Sequence, residues 1–447
     1  MAGANRIQSR PLAGPPPSGA VPRPAPPLRR AYFRWIVCGL LFFVSANNYM
    51  DRQVLGVMAP ELIRIFGWLP EDYTAIVFWF QIGYALGFIA AGRLFDLVGT
   101  RLGFSVAVAC WSLVATWHSG LSTLFGFKVV RFLLGLAEPS HMPGSIKVVA
   151  EWFPRHERAL ATGIFKSGSN LGAILVPVLV PWMFFTLDWR ATFLITASTG
   201  FVWLMFWLWL YRSPSESAWV SRVELNYITG GEPEPSIERV PWRLLLRRRE
   251  TWAYVNFKFM TDAIWHWYLA MLPLFLSQRF GLGLAEFGLP LVAVYVIADV
   301  GSIGGGWLSW RWIRQGWDLT RARKAAMLIC CACTLPVMLV PEAKSLWLVV
   351  GLVGLAHAAH QGLTSNLFST VSDMFPRQAV ASVVGFGGTA GQIGAALMTV
   401  LSGVALARTG SLSVMFFAAG STYLTAFFIF HLLVPRLAPL DLHSGPN

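Results

Sequence analysis

Charge is scarce in this chain: Asp, Glu, Lys and Arg together make up only 13% of its 447 residues, against 55% hydrophobic ones. A water-soluble globule of that size needs far more polar surface, so a soluble fold is excluded. Cysteine is scarce too. The five present, Cys38, Cys110, Cys330, Cys331 and Cys333, fall in apolar stretches where a thiol behaves as a small hydrophobe, and no further ligands stand at metal-binding spacing around the CCAC cluster. Neither disulfides nor a metal are expected. There is no G-x-x-x-x-G-K-[ST] loop for nucleotide-driven work, no Ser-His-Asp or metal-ligand spacing near a membrane surface, and no folded soluble domain to sense or signal. An enzyme or a receptor is therefore not indicated, and no cofactor is expected. Residues 1–30, rich in Pro, Ala, Gly and Arg, lack the apolar core of a secretory signal and read as a disordered cytoplasmic tail.

What the chain does have is apolar sequence, with a mean hydropathy of +0.56. Windows long enough to cross roughly 30 Å of hydrocarbon as a helix recur throughout and read as about twelve spans. They fall near 32–60, 73–96, 102–122, 124–150, 159–186, 190–211, 251–278, 287–313, 324–341, 345–372, 380–407 and 412–434. The net charge of +13 does not signal a nucleic-acid partner. Its cations gather on one side of the spans, at Arg93, Arg101, Arg155, Arg158, Arg243, Arg247, Arg311, Arg323, Lys324 and Arg377 among others, while the opposite loops keep few, such as Arg64, Arg190, Arg279, Lys344 and Arg408. That asymmetry is the positive-inside pattern, and it predicts a multi-pass protein with both termini cytoplasmic.

The chain repeats itself. EWFPRHERALATGIFKSGSNLGA at 151–173 and DMFPRQAVASVVGFGGTAGQIGA at 373–395 share Phe, Pro, Arg, Ala and Gly in register, an offset of 222 residues. Twelve spans repeating at half length predict an all-α integral membrane protein of the major facilitator fold, with twelve transmembrane helices in two pseudo-symmetric six-helix bundles. The expected division is a bundle over 31–211, a cytoplasmic linker over 212–249, a second bundle over 250–434 and a cytoplasmic tail over 435–447. Between spans two and three, GRLFDLVGTR resembles the loop motif of the major facilitator superfamily at Gly92, Asp96, Gly99 and Arg101. The glycines permit a tight turn and close helix approach, and Asp96 is suited to accept from a helix N-terminus or an Arg of the next helix. Such contacts hold one conformation and break for the other. The family usually carries a basic residue where this chain has Leu97.

Charges at membrane depth are costly and mark paths for substrate or protons. Asp51 and Arg52 lie in span one; Arg131 and Glu138, seven residues apart, lie on one face of span four. Asp51 and Arg131 come out at similar depth, which predicts a buried Asp51–Arg131 pair, serving either the bundle's integrity or the transported ligand. Burial and a neighbouring guanidinium pull on a carboxylate's proton in opposite senses, so Asp51 and Glu138 are the candidate proton-coupling acids. Arg52 and Arg131 suit a carboxylate gripped through two parallel hydrogen bonds. Tyr49, Tyr84, Lys166, Ser169, Asn170, His360, Gln361 and Gln392 supply polar groups at the same depth, and Trp265 and Tyr268 offer ring faces for a sugar. Lys258 and Asp262 can pair four residues apart, and Asp299 is a further buried acid.

Several segments together, NNYMDRQVLG, RFLLGLAEPSHMPG, KFMTDAIWHWYLAMLP, YVIADVGSIGGGWLS and AAHQGLTSNLFSTVSDMFPRQAVASVVG, resemble the hexuronate transporter group of the anion:cation symporter family over roughly residues 31–434. The resemblance implies uptake of a small sugar acid with protons across a bacterial inner membrane, driven by the proton gradient, by a monomer in the lipid bilayer. It also implies that Asp51 and Glu138 carry the protons and that Arg52, Arg131, Tyr49 and Tyr84 contact the substrate. The chain departs from the family at Lys166 and His266, so another carboxylate (an aldonate, a dicarboxylate or an aromatic acid) and anion exchange stay open.

Overall fold

A computed structural model of the chain describes residues 32–68, 70–230, 240–281, 288–409 and 413–440. The tail expected over 1–30 lies outside them, as do residues 441–447 of the expected C-terminal tail. Fifteen α-helices and no strand occur among the described residues. The first group is α1 (Phe33–Phe66), α2 (Pro70–Val98), α3 (Thr100–Trp117), α4 (Leu124–Ala137), α5 (His141–Trp152), α6 (Arg158–Thr186) and α7 (Trp189–Leu210). Two short helices follow, α8 (Arg222–Thr229) and α9 (Trp242–Leu246). The second group is α10 (Arg249–Phe280), α11 (Gly288–Arg314), α12 (Leu319–Thr334), α13 (Leu346–Met374), α14 (Arg377–Thr409) and α15 (Ser413–Leu433).

Local chemistry marks the ends. Gly67 closes α1 in the left-handed region at φ 64°, a conformation that costs glycine little. Asp188 caps α7 by accepting from the Ala191 N–H, and Asp318 caps α12 by accepting from Thr320 and Arg321. Glu138–Ser140 forms a single tighter turn that splits span four into α4 and α5; Pro139 has no N–H to continue the α-helical ladder. Span four was expected to be continuous, and the break sets Glu138 at a helix junction.

The repeat reappears in the element bounds: α13 begins 222 residues after α4 begins and ends 222 residues after α5 ends. The twelve expected spans correspond to α1, α2, α3, α4 with α5, α6, α7, α10, α11, α12, α13, α14 and α15. Nine helices among the described residues are long and apolar enough to cross a membrane. The remaining three segments, α1, α4 with α5, and α10, carry Asp51-Arg52, Arg131-Glu138 and Lys258-Asp262.

The two halves meet where α2 and α5 pack on α14 and where α6 packs on α11 and α13. Two glycines permit this contact. A Cβ on Gly92 of α2 would stand 2.6 Å from the Ala381 carbonyl oxygen of α14, and one on Gly306 of α11 would stand 2.2 Å from that of Ala159 on α6. Both approaches lie toward the end from which the linker runs, here called the linker end. There Arg158 of α6 donates to Asp373 of α13 at 3.4 Å, and Arg323 of α12 donates to the same carboxylate at 3.1 Å and to the Arg155 carbonyl. Arg323, counted from the sequence among the cations on the cytoplasmic side of the spans, is fully buried. Its guanidinium is spent on closing this end.

The linker docks on both halves: Trp242 of α9 donates to the Ser382 hydroxyl of α14 at 2.9 Å, and α8 packs on the first half. Glu224 of α8 is buried and accepts from the backbone N–H groups of Phe33 (3.3 Å) and Arg34 (3.1 Å) at the start of α1, where orphan donors need partners. Arg34 also pairs with Glu157 at 2.8 Å. The Tyr227 hydroxyl donates to Glu157, and burial beside that carboxylate pushes the phenol up to about 12.

Candidate functional site

Consecutive residues on a helix point about 100° apart, and in α1 that rotation separates Asp51 from Arg52. Asp51 turns toward α7: it accepts from Asn47 at 3.0 Å, and Asn47 accepts from Thr199 at 2.8 Å. Arg52 turns toward α2 and α4. Its Nε donates to Glu138 at 3.2 Å, and its guanidinium carbon stands 4.3 Å from the Tyr84 ring centre and 4.9 Å from that of Tyr49. Aromatic faces on two sides and one carboxylate hold the group in place, with each cation–π contact contributing about 0.5–2 kcal/mol.

The expected Asp51–Arg131 pair does not form: among the described residues the Asp51 carboxylate accepts from Asn47 of its own helix and from no guanidinium. The buried pair is Arg52–Glu138. Arg131 instead donates to the Arg52 backbone carbonyl at 3.4 Å and lies 5.6 Å from the Phe80 ring centre. Several atoms at this junction are buried with no hydrogen-bond partner among the described residues: Asp51 Oδ1, Arg52 Nη2, Arg131 Nε and Glu138 Oε1. Buried polar atoms are nearly always satisfied, and these four are gathered at one junction.

Between the halves lies a cavity of about 100 Å³. From the first half Tyr49, Arg52, Tyr84, Lys166 and Ser169 line it; from the second come Trp265, His360, Gln361 and Gln392. Three other expected contacts lie elsewhere. Arg131 lines an adjoining cavity of about 270 Å³ that Arg52 also borders. Asn170 donates to Asp299 at 2.6 Å, tying α6 to α11 across the interface. Tyr268 is buried among Trp267, His357 and Phe416.

On the cavity's other wall, the Lys258 ammonium pairs with Asp262 at 2.5 Å. Lys166 donates to the Thr364 hydroxyl and to the Gln361 carbonyl, the latter at 3.4 Å. His360 stacks on Trp265 with ring centres 4.8 Å apart and an interplanar angle of 11°, and its Nδ1 lies 3.0 Å from the Tyr423 hydroxyl. His266 is anchored by its Nδ1 to the Asp262 carbonyl at 2.8 Å and reaches Gln392 at 3.4 Å. Thr364, Phe368 and His141 also line the cavity, and the sequence reading passed over them. A signal for two existed: His360, Thr364 and Phe368 recur every four residues, so they share one face of α13. His141 had none, since it is turned inward by the break at Glu138–Ser140.

At the linker end the loop motif is built around Asp96. One carboxylate oxygen accepts from Lys147 of α5 at 3.0 Å and the other from the Ser382 N–H near the start of α14 at 2.7 Å. The expected helix-N-terminus donor is replaced by the N–H of Ser382, the sixth residue of α14, and the basic partner is a Lys of α5 rather than an Arg of the next helix. Gly99 takes φ 79° before α3. Arg101 is directed away from Asp96, donating to the Leu208 carbonyl at 3.1 Å.

Residues 41–398 match the model of the Major Facilitator Superfamily. Over 390 residues the chain is 27% identical to a hexuronate transporter of Escherichia coli, an alignment spanning 86% of this chain and 90% of that protein. It is 29% identical over 279 residues to a galacturonate transporter of Dickeya chrysanthemi, covering 62% and 81% of the two. Among solved structures, the Escherichia coli fucose:proton symporter FucP superposes with a TM-score of 0.67 at 12% identity, over 90% of this chain and 99% of that one. The proton:xylose symporter XylE does so with 0.69 at 14% identity, over 89% and 95%. These two show a shared fold.

Proposed function

The chain belongs to the Major Facilitator Superfamily of membrane transporters, and we propose that it moves a sugar acid together with protons by alternating access between its two halves. The observation that carries this reading is the Arg52–Glu138 pair, with Arg52 lining the cavity between the halves and its Nη2 buried without a hydrogen-bond partner among the described residues. A substrate carboxylate and Glu138 compete for one guanidinium. When Glu138 takes up a proton it releases its claim, and Arg52 grips the incoming carboxylate through charge-assisted hydrogen bonds. The sugar hydroxyls are then met by Tyr49, Tyr84, Ser169, Gln361 and Gln392, and the ring by Trp265. Asp51, bonded to Asn47 one turn away, serves as the second proton acceptor.

Alternating access requires that the linker end open as the opposite end closes. The contacts that break are those of Asp96 with Lys147 and Ser382, and those of Asp373 with Arg158. Lys and Arg asymmetry supports a cytoplasmic linker end, in what we take to be a bacterial inner membrane. The protein works as a monomer, with the proton gradient as its energy source. The test is uptake of radiolabelled glucuronate, galacturonate and galactonate into proteoliposomes with and without an inward proton gradient. Accumulation only with the gradient supports symport; equal uptake without it refutes the coupling, and no uptake of any of them refutes the sugar-acid reading.

A further inference from the structure

The cavity's cations do not balance its acids. Arg52 stands against Glu138 and Lys258 against Asp262. Lys166, as buried as Lys258, has only the Thr364 hydroxyl and the Gln361 carbonyl as hydrogen-bond partners, and no acid within 4 Å among the described residues. Its ammonium shares the Phe368 ring with that of Lys258, at 5.6 and 4.8 Å from the ring centre. A buried ammonium held by neutral groups and an aromatic face is costly unless an anion comes to it.

We propose that Lys166, set against Phe368, is a second anion subsite that makes this cavity select sugar diacids over sugar monoacids, an inference that rests on the sugar-acid reading above. Depth supports two separate poles. At 1.5 Å per residue, Lys166 stands about 12 Å from the linker end of α6, and Glu138, which Arg52 reaches, about 21 Å from that of α5. The two backbone positions thus differ in depth by about 9 Å, and the Lys166 ammonium, bonded to Thr364 and Gln361, covers part of that span. A six-carbon chain separates its terminal carbons by about 6 Å, and a charge-assisted hydrogen bond at each end extends the reach to roughly 11 Å. A diacid fills both poles; a monoacid leaves Lys166 without a counter-charge.

The experiment is calorimetric titration of the purified full-length protein with glucarate, glucuronate and glucose, repeated on Lys166→Asn and Lys166→Arg. The expected result is glucarate at least 10-fold tighter than glucuronate in the wild type, with glucose not bound. Lys166→Asn should lose at least 10-fold for glucarate and less than 3-fold for glucuronate, while Lys166→Arg keeps the preference. Glucuronate binding as tightly as glucarate to the wild type overturns the second pole and leaves the sugar-acid reading standing, whatever the variants do. Equal loss of both ligands in Lys166→Asn also overturns it. Binding of none of the acids to the wild type refutes the sugar-acid reading itself.

Discussion

Replacing Glu138 with Gln separates binding from coupling. The side chain keeps its size in a site with no exposure, but it no longer competes for Arg52. The Nε–Oε2 contact at 3.2 Å is a hydrogen bond between charged groups, of a kind that contributes about 1.5–3 kcal/mol net. In the wild type at neutral pH that amount is charged against substrate binding; in Glu138→Gln it is not. Sugar-acid affinity at pH 7.5 should therefore rise by roughly 10- to 150-fold, at 1.4 kcal/mol per tenfold. It should also lose the share of its pH dependence that Glu138 carries, leaving only that of Asp51, whereas wild-type affinity should improve as pH falls and Glu138 is neutralised. In proteoliposomes the variant should exchange labelled for unlabelled substrate in counterflow and fail to accumulate it under an inward proton gradient. Titration calorimetry between pH 5.5 and 8 and paired counterflow and uptake assays read these effects. A variant that still concentrates substrate, or that binds more weakly than the wild type at pH 7.5, refutes the competition between Glu138 and the ligand.

Asp373→Asn leaves the buried guanidinium groups of Arg158 and Arg323 without their shared counter-charge, an uncompensated burial worth about 3–5 kcal/mol. Because Arg158 reaches Asp373 across the interface, part of that loss should appear as a population shift toward opening at the linker end, read as longer spin-label distances between α6 and α13; an unchanged distance distribution counts against the latch. Gly168→Leu puts a Cβ 2.1 Å from the Phe42 carbonyl of α1, so α1 and α6 must separate, with a loss of about 1–3 kcal/mol or more in a denaturant titration. Glu224→Ala removes the acceptor for the Phe33 and Arg34 N–H groups and one partner of the Arg34 side chain; orphaned donors cost about 1–3 kcal/mol each. Hydrogen exchange across α8 and the first turn of α1 should rise while exchange in α10 to α15 stays unchanged.

The architecture was legible because hydropathy and repetition are local. A run of apolar residues must span wherever it sits, and FPR recurring with the same neighbours betrays a duplicated half without any knowledge of packing. The loop motif was legible because Gly92, Asp96 and Gly99 stand at a fixed local spacing, although the partners of Asp96, Lys147 and Ser382, come from distant parts of the chain. Pro139 was visible too, yet its effect on span four depended on the neighbouring helices accepting a junction there. Arg323 misled for a different reason: a cation beside a span usually faces water, and only an acid from another helix, Asp373, draws it inside.

What the sequence by itself determined is the class of molecule: a membrane-embedded, twice-repeated helical bundle with acids and arginines at depth, because lipid tolerates such charges only where they face protein or an aqueous path. Partner choice among those charges was decided by tertiary structure. A single step of about 100° along α1 sends Asp51 to Asn47 and Arg52 to Glu138, and the meeting of α6 with α13 leaves Lys166 facing hydroxyl and carbonyl rather than carboxylate. Side-chain direction is fixed by which helices pack on which faces, and that is a property of the assembled halves rather than of any one segment.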